Sequence, residues 1–499
     1  NRFANALRSL GVAKGTRVGL LMPNCPQFLI GYFGALKAGA VVVATNPLYV
    51  EREVEHQFTD AGVEIALVFS RRYPIVNAVR DRTGLKKVIV TNIKDYFPPL
   101  LKVLFTIAKE KKEGDRQTLR RGDVDLKTLL RSAPATRPAV DVSPDDPALL
   151  QYTGGTTGIP KAARATHFNL VADTLQMKAW LSLPDDAAPR FLGVIPFFHV
   201  YGMVACMSLA LTAGGTLYLR PKFDVKDVLK TIWDAKIEYF PGVPTMYVAV
   251  NDSPLAPKCN LRSVKACVSG AAPLPVEVKR RFEQLTGGTL IEGYGLSEAP
   301  TATHGNPLQG VNKEGSIGLP FPDVECKIVD LADGVTEMPT GRAGELCIRG
   351  PQVMQGYWNR PDETKLVLRG GWLYTGDIAK VDEDGYFYIV DRKKDMIISG
   401  GYNIYPRDVE EVLFMHPKVK EAAVAGIPDA KWGETIWAFV VPKEGEKASA
   451  DDIRAFCRER LAAYKVPTVV EFREALPKTL VGKVLRRVLA EEVKQRMNV

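Results

Sequence analysis

YTGGTTGIPK, residues 152–161, combines glycines, threonine hydroxyls and one lysine in a single short loop. Glycines let backbone N–H groups turn inward to form an anion-binding concavity, hydroxyls add donors or metal ligands, and Lys161 adds a mobile positive charge. The strand-like run ALLQY, residues 148–152, leads into the loop, and ligands commonly bind where a strand of an α/β sheet ends. The spacing differs from that of the P-loop, G-x-x-x-x-G-K-S/T. The segment therefore predicts a phosphate-binding loop of another kind, with a flexible linker as the alternative.

The composition is that of an ordinary soluble globular protein. The chain has 499 residues, of which 46% are hydrophobic and 25% are charged, and this length predicts roughly two to four structural units. The formal charge of +9 suits anionic partners such as nucleotides, CoA or an acidic membrane surface. Zinc-knuckle spacing, an RNP-like aromatic motif and a dense basic helix are all missing from the sequence, so we expect no nucleic-acid partner.

The seven cysteines are scattered, odd in number and without a C-x-x-C pair. This pattern predicts reduced, mostly buried thiols in a cytoplasmic protein. The sequence shows no signal peptide and no initiator methionine, and its first residues have the pattern of an amphipathic helix. We therefore expect that it begins inside a domain whose upstream segment is missing.

The pattern of strands and helices changes twice along the chain. Residues 18–291 alternate short β-rich runs with helical stretches, which predicts α/β layers with largely parallel sheets. Residues 326–390 contain strands joined by tight turns, including a hairpin at Asp384-Gly385, and predict an antiparallel barrel or sheet. The block after Asp391 has its own alternation, with a helix beginning at Ser449, and predicts a separate small domain.

Residues 96–112, YFPPLLKVLFTIAKEKK, join a short apolar run to a cluster of lysines. The apolar part is about ten residues, short of the ~20 that cross a bilayer. It is either a helix packed on its own domain or an interfacial helix whose apolar side chains enter a membrane surface while its lysines meet lipid phosphates. The side chains concerned are Leu100, Leu101, Leu104, Phe105, Ile107, Lys109, Lys111 and Lys112.

Five further segments combine a strand end or tight turn with side chains suited to a nucleotide and a carboxylate. They are PFFHVYG (196–202), SGAAPLP (269–275), GYGLSEAP (293–300), WLYTGD (372–377) and DRKKDMIISGGYNIYP (391–406). The first sets His199 among aromatic residues, although a structural histidine is the alternative. The small residues of the second would let a flat ring approach the backbone.

The other three segments add polar groups for a nucleotide. GYGLSEAP offers a tyrosine face for stacking, a serine hydroxyl for phosphate and the carboxylate of Glu298 for a hard cation. WLYTGD places Asp377 where it could bind ribose hydroxyls. The fifth segment, with a charged start and a Gly-Gly turn, falls at the boundary of the last block. Each segment taken singly also fits an ordinary turn.

Taken together, these motifs resemble those of the adenylate-forming superfamily. The chain is similar over essentially its whole length to acyl-CoA synthetases, and nearest to bacterial long-chain fatty acid–CoA ligases. The motifs occur in family order: YTGGTTG, GYGLSE, GSIGLP (315–320), GELCIRGPQVMQGYW (344–358), WLYTGD, DRKKDMIISGGYN and PKTLVGKVLRR (477–487). Two departures are visible: Ala162 stands where the family usually has glycine, and Ser297 where it usually has threonine.

The resemblance implies an α/β protein with a large N-terminal domain, residues 1–393, made of two layered α/β sheets plus a β-barrel-like subdomain. A small, mobile α+β C-terminal domain, residues 394–499, would follow and swing about Lys394. It also implies a two-step reaction that uses ATP, Mg²⁺ and CoA. A fatty acid carboxylate attacks the α-phosphate of ATP to give an acyl-adenylate and pyrophosphate, and the CoA thiol then displaces AMP.

The same resemblance implies a role for each matching residue. The residues that would bind the phosphates are Tyr152, Thr153, Gly154, Gly155, Thr156, Thr157, Gly158 and Lys161. Thr156 and Glu298 would be ligands of Mg²⁺. The residues that would bind the nucleoside are Gly270, Ala271, Ala272, Gly293, Tyr294, Gly295, Leu296, Ser297, Asp377 and Arg392. Those that would approach CoA are Gly401, Lys431, Gly433 and Glu434. Lys483 would bridge the carboxylate and the α-phosphate, His199 would gate the acyl site with Phe198 and Tyr201, and the acyl tunnel would pass Tyr247.

Several alternatives stay open on the sequence alone. The acid could be an aryl or medium-chain acid, or the acceptor could be the phosphopantetheine arm of a carrier protein instead of CoA. A membrane-docked acyl carrier without catalysis is disfavoured because Lys483, Glu298 and Asp377 are all present. We expect a monomer or homodimer, cytoplasmic, with peripheral contact at the inner face of the membrane if residues 96–112 form an interfacial helix.

Overall fold

The computed structural model describes residues 1–153, 160–184, 188–400, 402–429, 431–479 and 482–497. The chain folds into a large unit with several sheets, followed by a small unit with a sheet of its own. The predicted fold class, α/β with a small α+β C-terminal unit, is confirmed. Within the described ranges, no helix is both long and apolar enough to cross a membrane.

The first sheet is seven-stranded, with the order β5-β4-β3-β1-β2-β6-β7, and only its last strand pairs antiparallel. Its strands are β1 (Arg17–Leu21), β2 (Val41–Thr45), β3 (Ile65–Phe69), β4 (Lys87–Thr91), β5 (Val124–Asp125), β6 (Pro147–Tyr152) and β7 (Ala162–Thr166). Its helices are α1 (Arg2–Ser9), α2 (Pro26–Lys37), α3 (Glu51–Ala61), α4 (Tyr73–Val79), α5 (Pro99–Ala108), α6 (Leu126–Ser132) and α7 (His167–Trp180). Continuous apolar runs such as IALVF in β3 are buried throughout, as central parallel strands require.

The second sheet continues the α/β pattern. Its strands are β8 (Arg190–Gly193), β9 (Thr216–Leu219), β10 (Ala266–Ser269), β11 (Thr289–Leu296), β12 (Ala299–Gly305) and β13 (Leu319–Pro320). Its helices are α8 (Val200–Gly202), a π-helical turn (Met203–Ser208), α9 (Leu209–Thr212), α10 (Val225–Ala235), α11 (Pro244–Asn251) and α12 (Val276–Thr286). Tyr239 bridges in parallel to both Phe191 and Ala266 and so joins the β8–β9 pair to the β10–β11 pair.

The third sheet is antiparallel and five-stranded. It contains β14 (Glu325–Val329), β15 (Gly344–Arg349), β16 (Leu368–Arg369), β17 (Trp372–Val381) and β18 (Phe387–Arg392), with helix α13 (Pro361–Val367). The predicted hairpin at Asp384-Gly385 connects β17 to β18, and Gly385 takes the positive φ of 82° that this turn needs. An antiparallel sheet thus stands where the sequence predicts a barrel-like subdomain.

The small unit follows a turn at residues 393–396. Its sheet contains β19 (Ile397–Ser399), β20 (Tyr402–Ile404), β21 (Val419–Asp429), β22 (Gly433–Pro442) and β23 (Val469–Phe472). Its helices are α14 (Pro406–Met415), α15 (Ala450–Arg458) and α16 (Arg486–Met497). Ser449 caps α15 by accepting a hydrogen bond from the Asp452 amide, which confirms the predicted start of that helix.

A buried asparagine fixes the first two sheets against each other near the predicted acyl site. The Nδ2 of Asn24, just after β1, donates to the carbonyls of Gly193 (3.1 Å) and Ile195 (2.8 Å). Its Oδ1 accepts a hydrogen bond from the Phe197 amide at 2.8 Å. The segment that carries His199 is therefore held at the carboxyl edge of the first sheet.

Candidate active site

The predicted phosphate loop connects the adjacent strands β6 and β7 of the first sheet. Tyr152 and Ala162 are register partners on β6 and β7, and the Thr153 amide donates to the Lys161 carbonyl at 2.8 Å. The predicted loop residues Gly154, Gly155, Thr156, Thr157 and Gly158 lie outside the described residues, so their roles stay predictions. Ala162 is fully buried in an apolar cluster with Leu150, and this packing accounts for a methyl group at the family's glycine position.

Lys161 is held by a residue that the sequence did not point to. Its Nζ forms an ion pair with Glu363 of α13 and lies 5.2 Å from the ring centroid of Tyr357. The Tyr357 hydroxyl donates to Oε1 of Glu298 at 2.7 Å. Lys161 and Glu298, which are far apart in sequence, are therefore linked through Tyr357.

A second chain of contacts anchors the same region from behind. The Tyr152 hydroxyl donates to Oδ2 of Asp60 at 2.7 Å, and Asp60 Oδ1 accepts from Nη2 of Arg360 at 2.7 Å. The Arg360 Nε lies 3.8 Å from Oε1 of Glu363. The segment that carries Tyr357 and Glu363 is thereby tied to the base of the phosphate loop.

Glu298 lies at the tip of a tight hairpin. Leu296 and Ala299 pair across β11 and β12, so Ser297 and Glu298 are the two residues of the connecting turn. In the parts of the chain that the structure describes, no three His, Cys, Asp or Glu side chains come together as a metal site. A single carboxylate nevertheless fits Mg²⁺, because this ion commonly binds through one or two carboxylates together with substrate phosphates and water.

Tyr294, Asp377 and Arg392 form one connected wall beside this hairpin. The Tyr294 hydroxyl donates to Oδ2 of Asp377 at 2.6 Å, and Nε of Arg392 lies 3.3 Å from Oδ1. Asp377 and Arg392 are also register partners on β17 and β18. A carboxylate offers about four lone-pair positions, so Asp377 keeps acceptor capacity for hydroxyl groups of a ligand.

Small residues line the same cavity as Tyr294, at positions where close packing leaves little room for larger side chains. A side chain at Gly295 would strike the carbonyl of Thr301, and one at Gly270 would lie 3.4 Å from the Tyr201 ring. Ala271 has a φ of 68°, which is unusual for a residue with a Cβ. Gly293 lines the same cavity as Gly270 and Ala271, whereas Ala272 and Ser297 do not line it.

Lys483 comes from the small unit but lies at this wall. The pKa of Lys483 is lowered from 10.5 to about 7, chiefly by burial and then by the charges of Arg392 and Lys394, against the opposing effect of Asp377 and Asp395. The preceding Gly482 has a φ of 75°, and a Cβ there would lie 2.9 Å from Oγ1 of Thr245 on α11. The loop before α16 is therefore docked on the large unit with its lysine at the candidate nucleotide site.

His199 is neutral in this arrangement. Its Nδ1 accepts a hydrogen bond from the Tyr201 amide at 3.2 Å, so the ring proton is on Nε2. Burial, with the charge of Lys483 as the second cause, lowers the pKa of His199 to about 4. His199 can therefore donate a hydrogen bond from Nε2, but it carries no positive charge at neutral pH.

An apolar cavity of about 80 Å³ extends from His199 between α7 and the second sheet. Its walls include Met177, Trp180, Leu181, Leu209 and Phe321, together with backbone of the Gly270 and Gly293 strands. Tyr247 does not line this cavity, so the passage of the acyl tunnel past it stays a prediction. The Tyr247 hydroxyl lies 2.9 Å from the carbonyl oxygens of both Phe240 and Val268, to which it donates its one proton, and its ring packs on Phe282 in the core.

The predicted CoA residues form a separate group. Gly433 pairs with Ser399 of β19, and Oε2 of Glu434 accepts from the Ile398 amide at 2.8 Å. The Nζ of Lys431 lies 4.8 Å from the Trp432 ring. Across the described ranges, no hydrogen bond or ion pair joins Lys431, Gly433 or Glu434 to the large unit. Gly401 lies outside the described residues.

The contacts around Lys161 show what sequence reasoning missed. Tyr357 belongs to the motif GELCIRGPQVMQGYW, so a signal for it was present. Asp60, Arg360 and Glu363 carry no local pattern, because their importance arises from partners that lie elsewhere in the chain. Thr245 is likewise visible only through the docked loop.

Comparison with known proteins places these features in one family. The model for AMP-binding enzymes matches residues 1–358, and the model for the AMP-binding enzyme C-terminal domain matches residues 408–483. A long-chain-fatty-acid–CoA ligase from Bacillus subtilis (strain 168) is 46% identical, covering 98% of this chain and 88% of the relative. A feruloyl-CoA synthase from an Amycolatopsis species is 37% identical, covering 97% of this chain and 90% of the relative.

A solved structure gives the same assignment. ATP-bound MatB from Rhodopseudomonas palustris superimposes with a TM-score of 0.88 at 29% identity, covering 99% of this chain and 92% of that chain. The family models together span both the large and the small unit. The chain belongs to the family of AMP-binding enzymes.

Proposed function

We propose that this chain is an ATP-dependent acid–thiol ligase that converts a fatty acid to acyl-AMP and then to acyl-CoA, releasing pyrophosphate and AMP. The observation that carries the proposal is the position of Lys483, which the small unit inserts beside Asp377 and Arg392 of the large unit. Joining a carboxylate to a phosphate brings two anions together. A positioned cation between them lowers the barrier by stabilising charge in the transition state.

In the first step, a carboxylate oxygen bonds to the α-phosphorus of ATP while the bond to pyrophosphate breaks. Lys483 contacts both anions, and binding of these anions restores its charge by raising its pKa from the low value of the buried free amine. Asp377 accepts hydrogen bonds from the ribose hydroxyls through the lone pairs that Tyr294 and Arg392 leave free. Lys161 exchanges Glu363 for the leaving pyrophosphate.

Mg²⁺, when bound, neutralises the charge on the phosphates and orients them. Glu298 is the described residue placed to hold it, and Thr156 remains the predicted second ligand. The hydrogen bond from Tyr357 to Oε1 fixes the orientation of the Glu298 carboxylate and leaves Oε2 for the ion.

His199 positions the acyl carboxylate at the mouth of the cavity and does not act as a base. A fatty acid carboxylate is already ionised at neutral pH, so the first step needs no proton acceptor. The Nε2–H of neutral His199 is a hydrogen-bond donor for such a carboxylate. Hydrogen bonding to the carbonyls of Gly242 and Val268 holds the Tyr201 hydroxyl in place. We therefore assign the predicted gating movement to the side chains of His199 and Phe198.

In the second step, the CoA sulfur bonds to the acyl carbonyl carbon and AMP leaves. We propose that the small domain, residues 394–499, first rotates about Lys394, which withdraws Lys483 and brings Gly401, Lys431, Gly433 and Glu434 to the site. Two observations support this movement. The turn at residues 393–396 is the connection between the units, and the described CoA candidates have no bonds to the large unit that a rotation would break.

A fatty acid is the acid best supported. The B. subtilis relative named for long-chain fatty acids is nearer in sequence than the feruloyl-CoA synthase, and the cavity walls are aliphatic and aromatic. The same name supports CoA as the acceptor over a carrier protein. A cytoplasmic location at the inner face of a membrane and a monomeric or homodimeric state remain predictions.

The test is pyrophosphate release over a chain-length series of fatty acids, with ferulate as the aryl acid, each with and without CoA. We expect multiple turnovers with long-chain acids only when CoA is present, and formation of the corresponding acyl-CoA. Faster release with ferulate would replace the proposed substrate class. Turnover that CoA does not stimulate would remove CoA as the acceptor.

A further inference from the structure

Helix α5 presents its apolar side to the solvent. Leu100 is 74% exposed, Val103 55%, Leu104 54% and Ile107 80%, and Leu101 is 48% exposed. At about 100° per residue these five side chains cover one arc of about 160°. Only Phe105 of this helix is buried, and it packs edge-on against Phe97. A surface helix of a globular protein normally has the opposite orientation.

The polar side of α5 is the side that contacts the large domain. The Lys94 Nζ donates to Oγ1 of Thr106 at 3.1 Å, and the same Nζ pairs with the buried Glu110 at 2.6 Å. Lys102 and Thr106 are only partly exposed. The helix is thus fastened through polar contacts and through Phe105, and its leucine, valine and isoleucine side chains are left in water.

The chain after α5 is positively charged. Lys109, Lys111 and Lys112 are exposed, and none of them has an ion-pair partner among the described residues. The nearby acids already have partners, since Arg71 pairs with both Glu113 and Asp115 and Lys94 pairs with Glu110. The three lysines are therefore available to an external anion next to the apolar face.

We propose that α5 and Lys109, Lys111 and Lys112, here called the basic-apolar ridge, dock on the surface of a bilayer that contains anionic lipids. An apolar helical face flanked by cations is the combination that binds such an interface. The charge complementarity favours a lipid surface over a second copy of this chain, whose ridge would be equally positive. This proposal rests on the proposed function, because a fatty acid is a substrate that partitions into membranes.

The fold places the ridge on the catalytic side of the first sheet. Helix α5 follows β4, the phosphate loop follows β6, and both leave the carboxyl edge of the parallel strands. The two strands are four positions apart in the sheet, or about 19 Å at ~4.8 Å per strand. Docking through α5 would therefore hold this edge near the lipid surface.

The experiment measures co-sedimentation of the full chain with phosphatidylcholine vesicles, with and without phosphatidylglycerol. The test variant is Leu100→Gln/Leu104→Gln/Ile107→Gln, and the control variant is Val311→Gln/Val335→Gln/Leu366→Gln, whose side chains are 64%, 72% and 64% exposed elsewhere. We expect the test variant to lose binding by about tenfold or more while the control binds like wild type. Equal binding by the test variant would overturn the proposal.

The lysines are tested with Lys109→Gln/Lys111→Gln/Lys112→Gln. This variant should bind vesicles with phosphatidylglycerol more weakly and with less dependence on salt, because surface attraction to anionic lipid is screened by ions. Salt-independent wild-type binding would contradict the charge argument. If the leucine variant instead turned a dimer into a monomer in sedimentation velocity, α5 would be an interface between copies.

A soluble substrate separates this proposal from the proposed function. Pyrophosphate release with octanoate, which needs no membrane, should be the same in wild type and in the leucine variant. Loss of vesicle binding with retained octanoate turnover supports the ridge. Absence of turnover with every fatty acid in wild type would refute the ligase itself and leave vesicle binding to decide the ridge alone.

Discussion

The ionisation of Lys483 should make adenylate formation depend on pH in a way that one substitution removes. Burial lowers the pKa of this lysine from 10.5 to about 7 in the docked loop. The difference, 10.5 minus 7, corresponds to about 5 kcal/mol at ~1.4 kcal/mol per pH unit. That free energy opposes a charged, docked Lys483 until bound anions offset it.

The sign follows from proton counting. Between pH 7 and 10.5, an undocked Lys483 in water stays protonated while the docked amine has lost its proton. The undocked form binds more protons in this window, so raising the pH favours docking, and the full penalty applies below about pH 7. Catalysis has the opposite requirement, because the docked lysine must carry its charge to bridge two anions.

The assay is the pH dependence of kcat/KM for fatty-acid-dependent ATP–pyrophosphate exchange. In wild type, kcat/KM should fall by up to about tenfold per pH unit above pH 7, since this constant reports the free enzyme. The kcat should fall at higher pH, because bound anions raise the pKa of Lys483. Lys483→Arg keeps a fixed charge and should lack this decline.

Two controls guard the interpretation. Lys483→Gln is uncharged at every pH and should be slow without the wild-type decline. Titration of ATP affects all three proteins equally and cancels in the comparison. If kcat/KM declined identically above pH 7 in wild type and in Lys483→Arg, the decline could not be assigned to Lys483.

Three further substitutions test the rest of the site. Glu363→Gln should lower the KM for ATP by up to about fivefold with little change in kcat, because a half-exposed ion pair that competes for Lys161 is weakened; a higher KM would show that Glu363 helps phosphate binding. Tyr357→Phe should raise the Mg²⁺ concentration needed for half-maximal activity about threefold or more, because the Glu298 carboxylate loses the hydrogen bond that orients it. An unchanged Mg²⁺ dependence would show that Tyr357 does not support metal binding. Lys394→Pro should spare acyl-AMP formation in single-turnover quench experiments and slow the conversion of acyl-AMP with CoA. If both rates equalled those of wild type, Lys394 would not be the hinge.

The sequence predicted those parts of the site whose chemistry is local. The hairpin tip at Glu298, the carboxylate of Asp377 and the start of helix α15 at Ser449 each carry a short pattern with a physical reason, although Asp377 lies inside β17 and not at a strand end. The alternation of short β-rich runs with helical stretches likewise predicted the parallel sheets.

What the sequence could not predict depends on partners brought together by the fold. Glu363 matters because Lys161 lies beside it, and Tyr247 is a core residue because Phe240 and Phe282 surround it. The segment at residues 96–112 was ambiguous for the same reason. A helical pattern has one apolar arc whether that arc faces the core or the solvent, and only the packing of Phe105 and Thr106 distinguishes the two.

The most direct test of the account separates the two half-reactions in Lys483→Met, because the claim is that the docked lysine serves only the first. Acyl-AMP formation from palmitate and ATP, and conversion of supplied palmitoyl-AMP with CoA, are each followed in single turnovers by rapid quench and mass spectrometry. We predict a loss of about a hundredfold or more in the first rate and a second rate close to wild type. Equal losses in both rates, or a first rate left intact, would contradict the account.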